Sequence, residues 1–156
     1  MSEYIIRPAN PQDLPTLYSF EQGIISAERP FDPTLRPEPI NYYDLKALVA
    51  SDQCEVLVAE IDGVIVASGY ADLRKAQAFH KHDRFAYLGF MYVSPDHRGQ
   101  GLIGEVLQKL KDWCISRAVT EIRLDVYAEN QPALSAYEKA GFKKHMVEMR
   151  MEIKKD

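Results

Sequence analysis

The sequence has little of what marks a secreted, metal-built or nucleic-acid-coating protein. Its two cysteines, Cys54 and Cys114, are too few for a disulfide framework. Both sit in apolar stretches and read as reduced core thiols. No Cys/His spacing resembles a zinc site. His80 and His82 flank Lys81 in a polar stretch and lack the further ligands a site needs, so no metal is expected. No apolar run approaches the ~20 residues of a membrane span. The opening Met1-Ser2-Glu3-Tyr4-Ile5-Ile6-Arg7 carries neither the basic nor the apolar segment of a signal peptide. These absences point to the cytoplasm. Basic excess is also missing: 19 Lys and Arg stand against 23 Asp and Glu. A nucleic-acid partner, which needs a phosphate-neutralising face, is therefore not expected. Internal repeats and low-complexity segments are absent. What remains is an ordinary globular composition, 46% hydrophobic over 156 residues, enough for one core and a single domain over 1–156.

Residues 3–8 alternate weakly and read as a first strand. Asn10 and Pro11 have the form of a helix cap and first turn, followed by Leu14, Leu17, Tyr18, Ile24 and Ile25 at helical spacing. Pro30, Pro33, Pro37 and Pro39 exclude regular structure from 29–39. A short second helix is expected over 41–50. Cys54–Ile61, the tight turn Asp62-Gly63 and Val64–Leu73 form the clearest hairpin. Phe85–Val93 is a further strand and Leu102–Ala118 an amphipathic helix with Leu102, Val106, Leu110 and Trp113 on one stripe. Glu121–Tyr127 is a strand, Asn130–Ala140 a helix, and Phe142–Ile153 a terminal strand. The unit 85–93, 101–118, 121–127 is βαβ, so its strands should be parallel, while the hairpin is antiparallel. The expected fold class is α/β (α+β): a mixed, mostly antiparallel sheet of six to seven strands flanked by about four helices.

Residues 93–104 leave a strand, turn and enter a helix as Val93-Ser94-Pro95-Asp96-His97-Arg98-Gly99-Gln100-Gly101-Leu102-Ile103-Gly104. Glycines permit close approach and positive φ. The first helical turn offers unpaired N–H groups at the positive end of the dipole, an anion cradle suited to phosphate. Arg98 adds a cationic donor beside it. A plain glycine-rich turn would look similar. The spacing Gly99-x-Gly101-x-x-Gly104 also matches the dinucleotide fingerprint, but it follows a Pro-Asp-His-Arg turn and lacks a convincing acidic ribose partner. A P-loop is excluded because no Gly-Lys-Ser/Thr follows.

A second motif reads Asn130-Gln131-Pro132-Ala133-Leu134-Ser135-Ala136-Tyr137-Glu138-Lys139-Ala140-Gly141-Phe142. Asn130 caps a helix, Gly141 ends it and Phe142 packs back. Tyr137 taken alone is an ordinary half-buried packing residue. Together, strand, Val-x-Pro-x-x-Arg-Gly-x-Gly, long helix, strand and Asn-x-x-Ala-x-x-x-Tyr-x-x-x-Gly-Phe resemble the GNAT superfamily of acetyl-CoA-dependent N-acetyltransferases. The resemblance is strongest over 85–145. It implies a sheet splayed between its fourth and fifth strands, with the pantetheine arm of acetyl-CoA in the cleft. It further implies that Arg98, Gly99, Gln100, Gly101, Leu102, Ile103 and Gly104 hold the pyrophosphate. The main chain of Met91 and Val93 would pair with pantetheine, Asn130 would touch the cofactor arm, and Tyr137 would face the sulfur. One departure stands out: the family pattern has Gly or Ala at the position of Ile103, and Gly104 comes one residue late.

The implied reaction is aminolysis of a thioester by direct attack. A backbone N–H near Val93 would stabilise the oxyanion. Tyr137, protonated at pH 7 at a reference pKa of about 10, would protonate or hydrogen-bond the departing thiolate. Glu21, Tyr92, Asp125 and Glu129 are open candidates for taking the proton of the amine, and none is selected. Phe31, Tyr42 and Tyr43 would either line an aromatic acceptor wall or pin the proline-rich loop to the core. A small-molecule or peptide amine is the expected partner, and exposed sheet edges suit a homodimer. Three other readings keep part of this pattern: a CoA-binding module without transfer, a transferase using another acyl donor, and an unrelated nucleotide-binding α/β domain.

Overall fold

The computed structural model describes residues 3–155; Met1, Ser2 and Asp156, and with them the first two residues of the opening segment, lie outside the described residues. Strand β1 (Tyr4–Pro8) leads to a capping box in which the Asn10 side chain accepts from Gln12 N at 3.0 Å and Asp13 accepts from Asn10 N at 2.8 Å. A 3-10 turn (Pro11–Asp13) then opens helix α1 (Leu14–Glu28). Arg7 grips both Asp13 carboxylate oxygens at 2.8 and 3.0 Å, which ties β1 to the helix start. Helix α2 (Leu45–Ala50) begins four residues later than its apolar pattern suggests. Asp44 caps it, and the N–H groups of Tyr42 and Tyr43 donate to Glu21 instead of starting a helix.

Strands β2 (Cys54–Ile61), β3 (Val64–Lys75) and β4 (Arg84–Val93) form the antiparallel meander read from the hairpin signal. Helix α3 (Leu102–Ser116), strand β5 (Ile122–Arg123) and helix α4 (Gln131–Lys139) follow. The sheet order is β1-β2-β3-β4-β5, antiparallel except for the parallel β4–β5 pair. Helices α1 and α2 cover one face with a core of Leu17, Phe20, Ile24, Leu45, Val58 and Phe90. Helix α3 covers the other with Val106, Leu107 and Leu110 over Leu57 and Leu88. No helix among the described residues is long and apolar enough to cross a membrane.

The strand count differs from expectation: five strands form among the described residues, not six to seven. The expected strand 121–127 enters the ladder only at Ile122 and Arg123, and 142–153 enters it nowhere. A strand exists through its hydrogen-bonded neighbour. β5 parts from β4 after the pair Tyr87↔Arg123, so residues 124–127 have no edge to join.

Candidate active site

The β4–β5 separation is the central feature of the site. A second irregularity shapes its wall. β3 and β4 run in register at Ala67↔Val93 and Ser68↔Tyr92, then slip to Tyr70↔Gly89. The slip is a bulge, with Phe90 at φ 59° and its carbonyl accepting from the Ser68 hydroxyl at 2.9 Å. The bulge changes which N–H groups face outward. Below it, Ala86 N donates toward β5, to Glu121 O at 2.9 Å. Above it, Ser94 N donates to Val66 O on β3 at 2.7 Å, so alternation turns the N–H groups of Val93 and Met91 to the open edge. The Arg98 side chain folds back and donates from Nε to Val93 O at 3.0 Å, bracing the strand end against the turn.

The turn itself is open. Gly101 is the α3 cap in the left-handed region at φ 79°, and Gly99 takes φ 78°. A methyl group added at either, or at Gly104, would meet nothing within 4 Å. The first α3 backbone N–H with a helical acceptor is that of Glu105, onto Gly101 O at 3.3 Å. The donors of residues 99–104 therefore point from the helix start without backbone acceptors among the described residues. Ile103, the departure from the family pattern, packs against the α3 core and leaves the cradle clear.

The family model for GNAT acetyltransferases matches residues 21–142. An acetyltransferase of Sodalis glossinidius is 32% identical over 110 residues, 69% of this chain and 70% of that protein. The chain belongs to the GNAT family of acetyltransferases. Solved structures share the GNAT fold at lower identity. A Clostridium acetobutylicum acetyltransferase crystallised with acetyl-CoA superposes with a TM-score of 0.74 at 20% identity, over 96% of each chain. An aminoglycoside 6'-N-acetyltransferase of Acinetobacter haemolyticus gives 0.73 at 18% identity, over 97% of this chain and 99% of that one.

In this GNAT fold Asn130 caps α4, accepting from Ala133 N at 3.3 Å. Tyr137, two turns on, sets its ring edge-on to Phe142 at 5.9 Å. Burial first, and the charge of Glu28 second, push its hydroxyl up to about 12. Glu28 lies at the end of α1, on the opposite face of the sheet.

The sequence reading missed Glu28. Burial holds its carboxyl above the ordinary range, the Tyr42 hydroxyl partly offsets this, and Asp32 adds to the rise. Buried charge in a cleft was the only signal that would have found it, and a residue just ahead of a proline loop does not show that signal. Of the open proton acceptors, Glu21 is 1% exposed and holds Tyr42 N and Tyr43 N at 2.8 Å each, a structural strap. Asp125 accepts from the Tyr87 hydroxyl at 2.9 Å. Tyr92 packs tilted against Phe20, ring centroids 4.6 Å apart. Glu129 is exposed, next to the α4 cap.

The three aromatic candidates separate. Tyr43 is wedged edge-on between Tyr70 and Phe90, a packing position. Tyr42 has a buried hydroxyl beside Glu28 and no close hydrogen-bond partner. Phe31 stacks on Tyr127 at 6.0 Å at the top of the opening. There Asp32 accepts from the Tyr127 hydroxyl at 2.9 Å, and Thr34 hydrogen bonds hold its carboxyl down to about 2.

Proposed function

We propose that this acetyltransferase moves the acetyl group of acetyl-CoA to a primary amine of a small molecule or peptide, by direct attack in a ternary complex. The single observation that carries this reading is the open edge of β4 above its bulge, running into the unpaired N–H groups at the start of α3. Pantetheine would lie along Met91 and Val93 as a short added strand. The diphosphate would sit on the 99–104 amides, with Asn130 near the arm.

In this reading the thioester carbonyl points to an N–H of the bulged strand, which stabilises the oxyanion. The amine adds to the carbonyl carbon, forming the C–N bond and the oxyanion; as the oxyanion collapses the C–S bond breaks, and the thiolate leaves toward the Tyr137 hydroxyl. Glu28 faces the amine from the other side of the opening. Its carboxylate attracts the ammonium form and takes the proton that the nitrogen must lose. Tyr42 and Phe31 form the acceptor wall, and Tyr43 supports them from the core. The setting is the cytoplasm, and the working form is a homodimer.

Thiol release from acetyl-CoA across a panel of amines tests the reaction. Thermal stabilisation tests the site: CoA at 100 times its dissociation constant should add about 2.7 kcal/mol. Stabilisation without thiol release on any amine would favour a binding module, and no stabilisation at millimolar CoA would defeat the site.

A further inference from the structure

A cavity of about 360 Å³, the size of a small-molecule site, lies between α2 and the sheet. Tyr42, Asp44, Tyr70, Asp72 and Arg74 are among its walls. Tyr42 joins it to the proposed chemistry, because the hydroxyl of the same ring stands beside Glu28. Tyr70 joins it to β4. Its ring lies over Gly89, where an added methyl group would come within 2.8 Å of the Tyr70 hydroxyl. Gly89 directly precedes the bulge at Phe90. Tyr70 is 4% exposed, yet its hydroxyl hydrogen bonds to no described residue. A buried hydroxyl left without a partner in a cavity wall is a place for a polar group of a ligand.

The charged groups of the cavity are oriented by the protein itself. Arg74 donates from Nε to Asp72 at 3.2 Å and lies 4.1 Å over the Tyr87 ring. That ring is held in turn, since its hydroxyl donates to Asp125 at 2.9 Å. Nη1 and Nη2 of Arg74 hydrogen bond to no described residue. A stacked guanidinium with both terminal amino groups free is a fork for a carboxylate. Asp44 uses one oxygen on the Ala47 N–H at 3.1 Å, and no described cation pairs with it. The cavity thus offers one free cationic fork and one uncompensated carboxylate, the complement of a zwitterion. A plain diamine would leave the fork empty, and a plain acid would face Asp44 with like charge.

We infer that the acceptor is a free α-amino acid with a terminal side-chain amine: its carboxylate sits on Arg74, its α-ammonium on Asp44, and its side chain passes Tyr70 to the bulge of β4. This rests on the acetyl-transfer reading above. Arg74 stacks on Tyr87, two residues along β4 from Gly89, a rise of about 7 Å. The alkyl side chain of lysine or ornithine spans that distance, whereas an α-amine beside its own carboxylate does not. The neutral side-chain amine and acetyl-CoA give the N-acetyl amino acid and the CoA thiol. The C–N bond forms, the C–S bond breaks, and the proton lost by nitrogen ends on sulfur.

L-Lysine and L-ornithine are the probes. Each is compared with its analogue lacking the carboxylate (cadaverine, putrescine) and with the one lacking the α-amine (6-aminohexanoate, 5-aminopentanoate). Thiol release by the parent should give one of the two amino acids a kcat/KM about ten-fold or more above both of its analogues. Arg74→Gln should lower its ratio to the diamine roughly ten-fold, and Asp44→Asn its ratio to the ω-amino acid by a similar factor. Asn still caps α2, and Arg74 is exposed, so both variants should keep the parental melting temperature. Calorimetric titration of the same amino acid onto the CoA-bound protein should show binding that each variant weakens roughly ten-fold. No binding of either amino acid overturns the inference, and thiol release with other amines would then leave the transfer reading standing. Binding that both variants weaken, without thiol release on any amine, defeats the transfer reading and keeps the amino-acid site. Equal kcat/KM for the diamine, or binding that neither variant moves, overturns the inference.

Discussion

Replacing Tyr137 with Phe removes one oxygen from the middle of the proposed chemistry and nothing else. The ring stays edge-on to Phe142 at 5.9 Å. Burial holds the hydroxyl at about 12. A thiol titrates near 8.5, so complete transfer of the Tyr137 proton to a free thiolate would run uphill by about 3.5 units, about 5 kcal/mol. The hydroxyl therefore acts chiefly as a hydrogen-bond donor to sulfur while charge builds there. A hydrogen bond to a charged group contributes about 1.5–3 kcal/mol, which converts to a loss of about 10- to 150-fold in kcat at 1.36 kcal/mol per decade. Steady-state thiol release measures it. CoA affinity by calorimetry should be nearly unchanged, because the hydroxyl matters only once the C–S bond opens. The melting temperature should hold, since no hydrogen bond to this hydroxyl is lost within the described residues. Parental kcat in the Phe variant would refute the donor role, and a matching loss of CoA affinity would show that the hydroxyl acts on binding.

Glu28→Gln should lower kcat/KM by about 100-fold or more if the carboxylate takes the amine proton. In the parent, activity should fall as pH drops through a value above the ordinary ~4.3 of glutamate, because burial favours the neutral form; a pH–rate profile checks both, and an acid limb that survives in the Gln variant counts against Glu28. Glu21→Ala leaves the N–H groups of Tyr42 and Tyr43 without their acceptor and should cost about 2–5 kcal/mol in denaturant unfolding; a change under about 0.5 kcal/mol, the size of an ordinary surface substitution, would show that the strap carries no load. Asp32 has a folded-state value of about 2 against ~3.9 in the unfolded chain, so its contribution is complete above ~3.9 and disappears as pH falls through about 2. Carboxyl NMR titration should give that midpoint, and an ordinary one would mean that Thr34 and Tyr127 do not hold it.

The long amphipathic stripe of 102–118, the Asp62-Gly63 turn, the Asn130 helix start and the Gly141 helix end were legible because each is a local pattern: periodicity, a tight turn, a cap. The glycine turn at 99–104 was legible for the same reason, since its unpaired N–H groups belong to one continuous stretch of backbone. Glu28 was not, because its distinction is burial beside Tyr42, a residue of the following loop. The roles of Glu21 and Tyr43 were equally hidden. A carboxylate in the middle of α1 looks like a surface charge until the loop that it straps is in place.

By itself, the order of residues determined the αβ composition, the parallel β4–α3–β5 unit and the glycine turn, because short-range sterics and hydrogen bonding decide those within a few residues. It also determined that 142–153 has the alternation of a strand. Only the tertiary structure decided that β5 parts from β4 after Arg123, that the bulge at Phe90 turns Met91 and Val93 to the open edge, and that the last strand has no ladder within its own chain. Those outcomes depend on which backbone edges meet in space, and edge pairing is a non-local contact that no window of sequence contains.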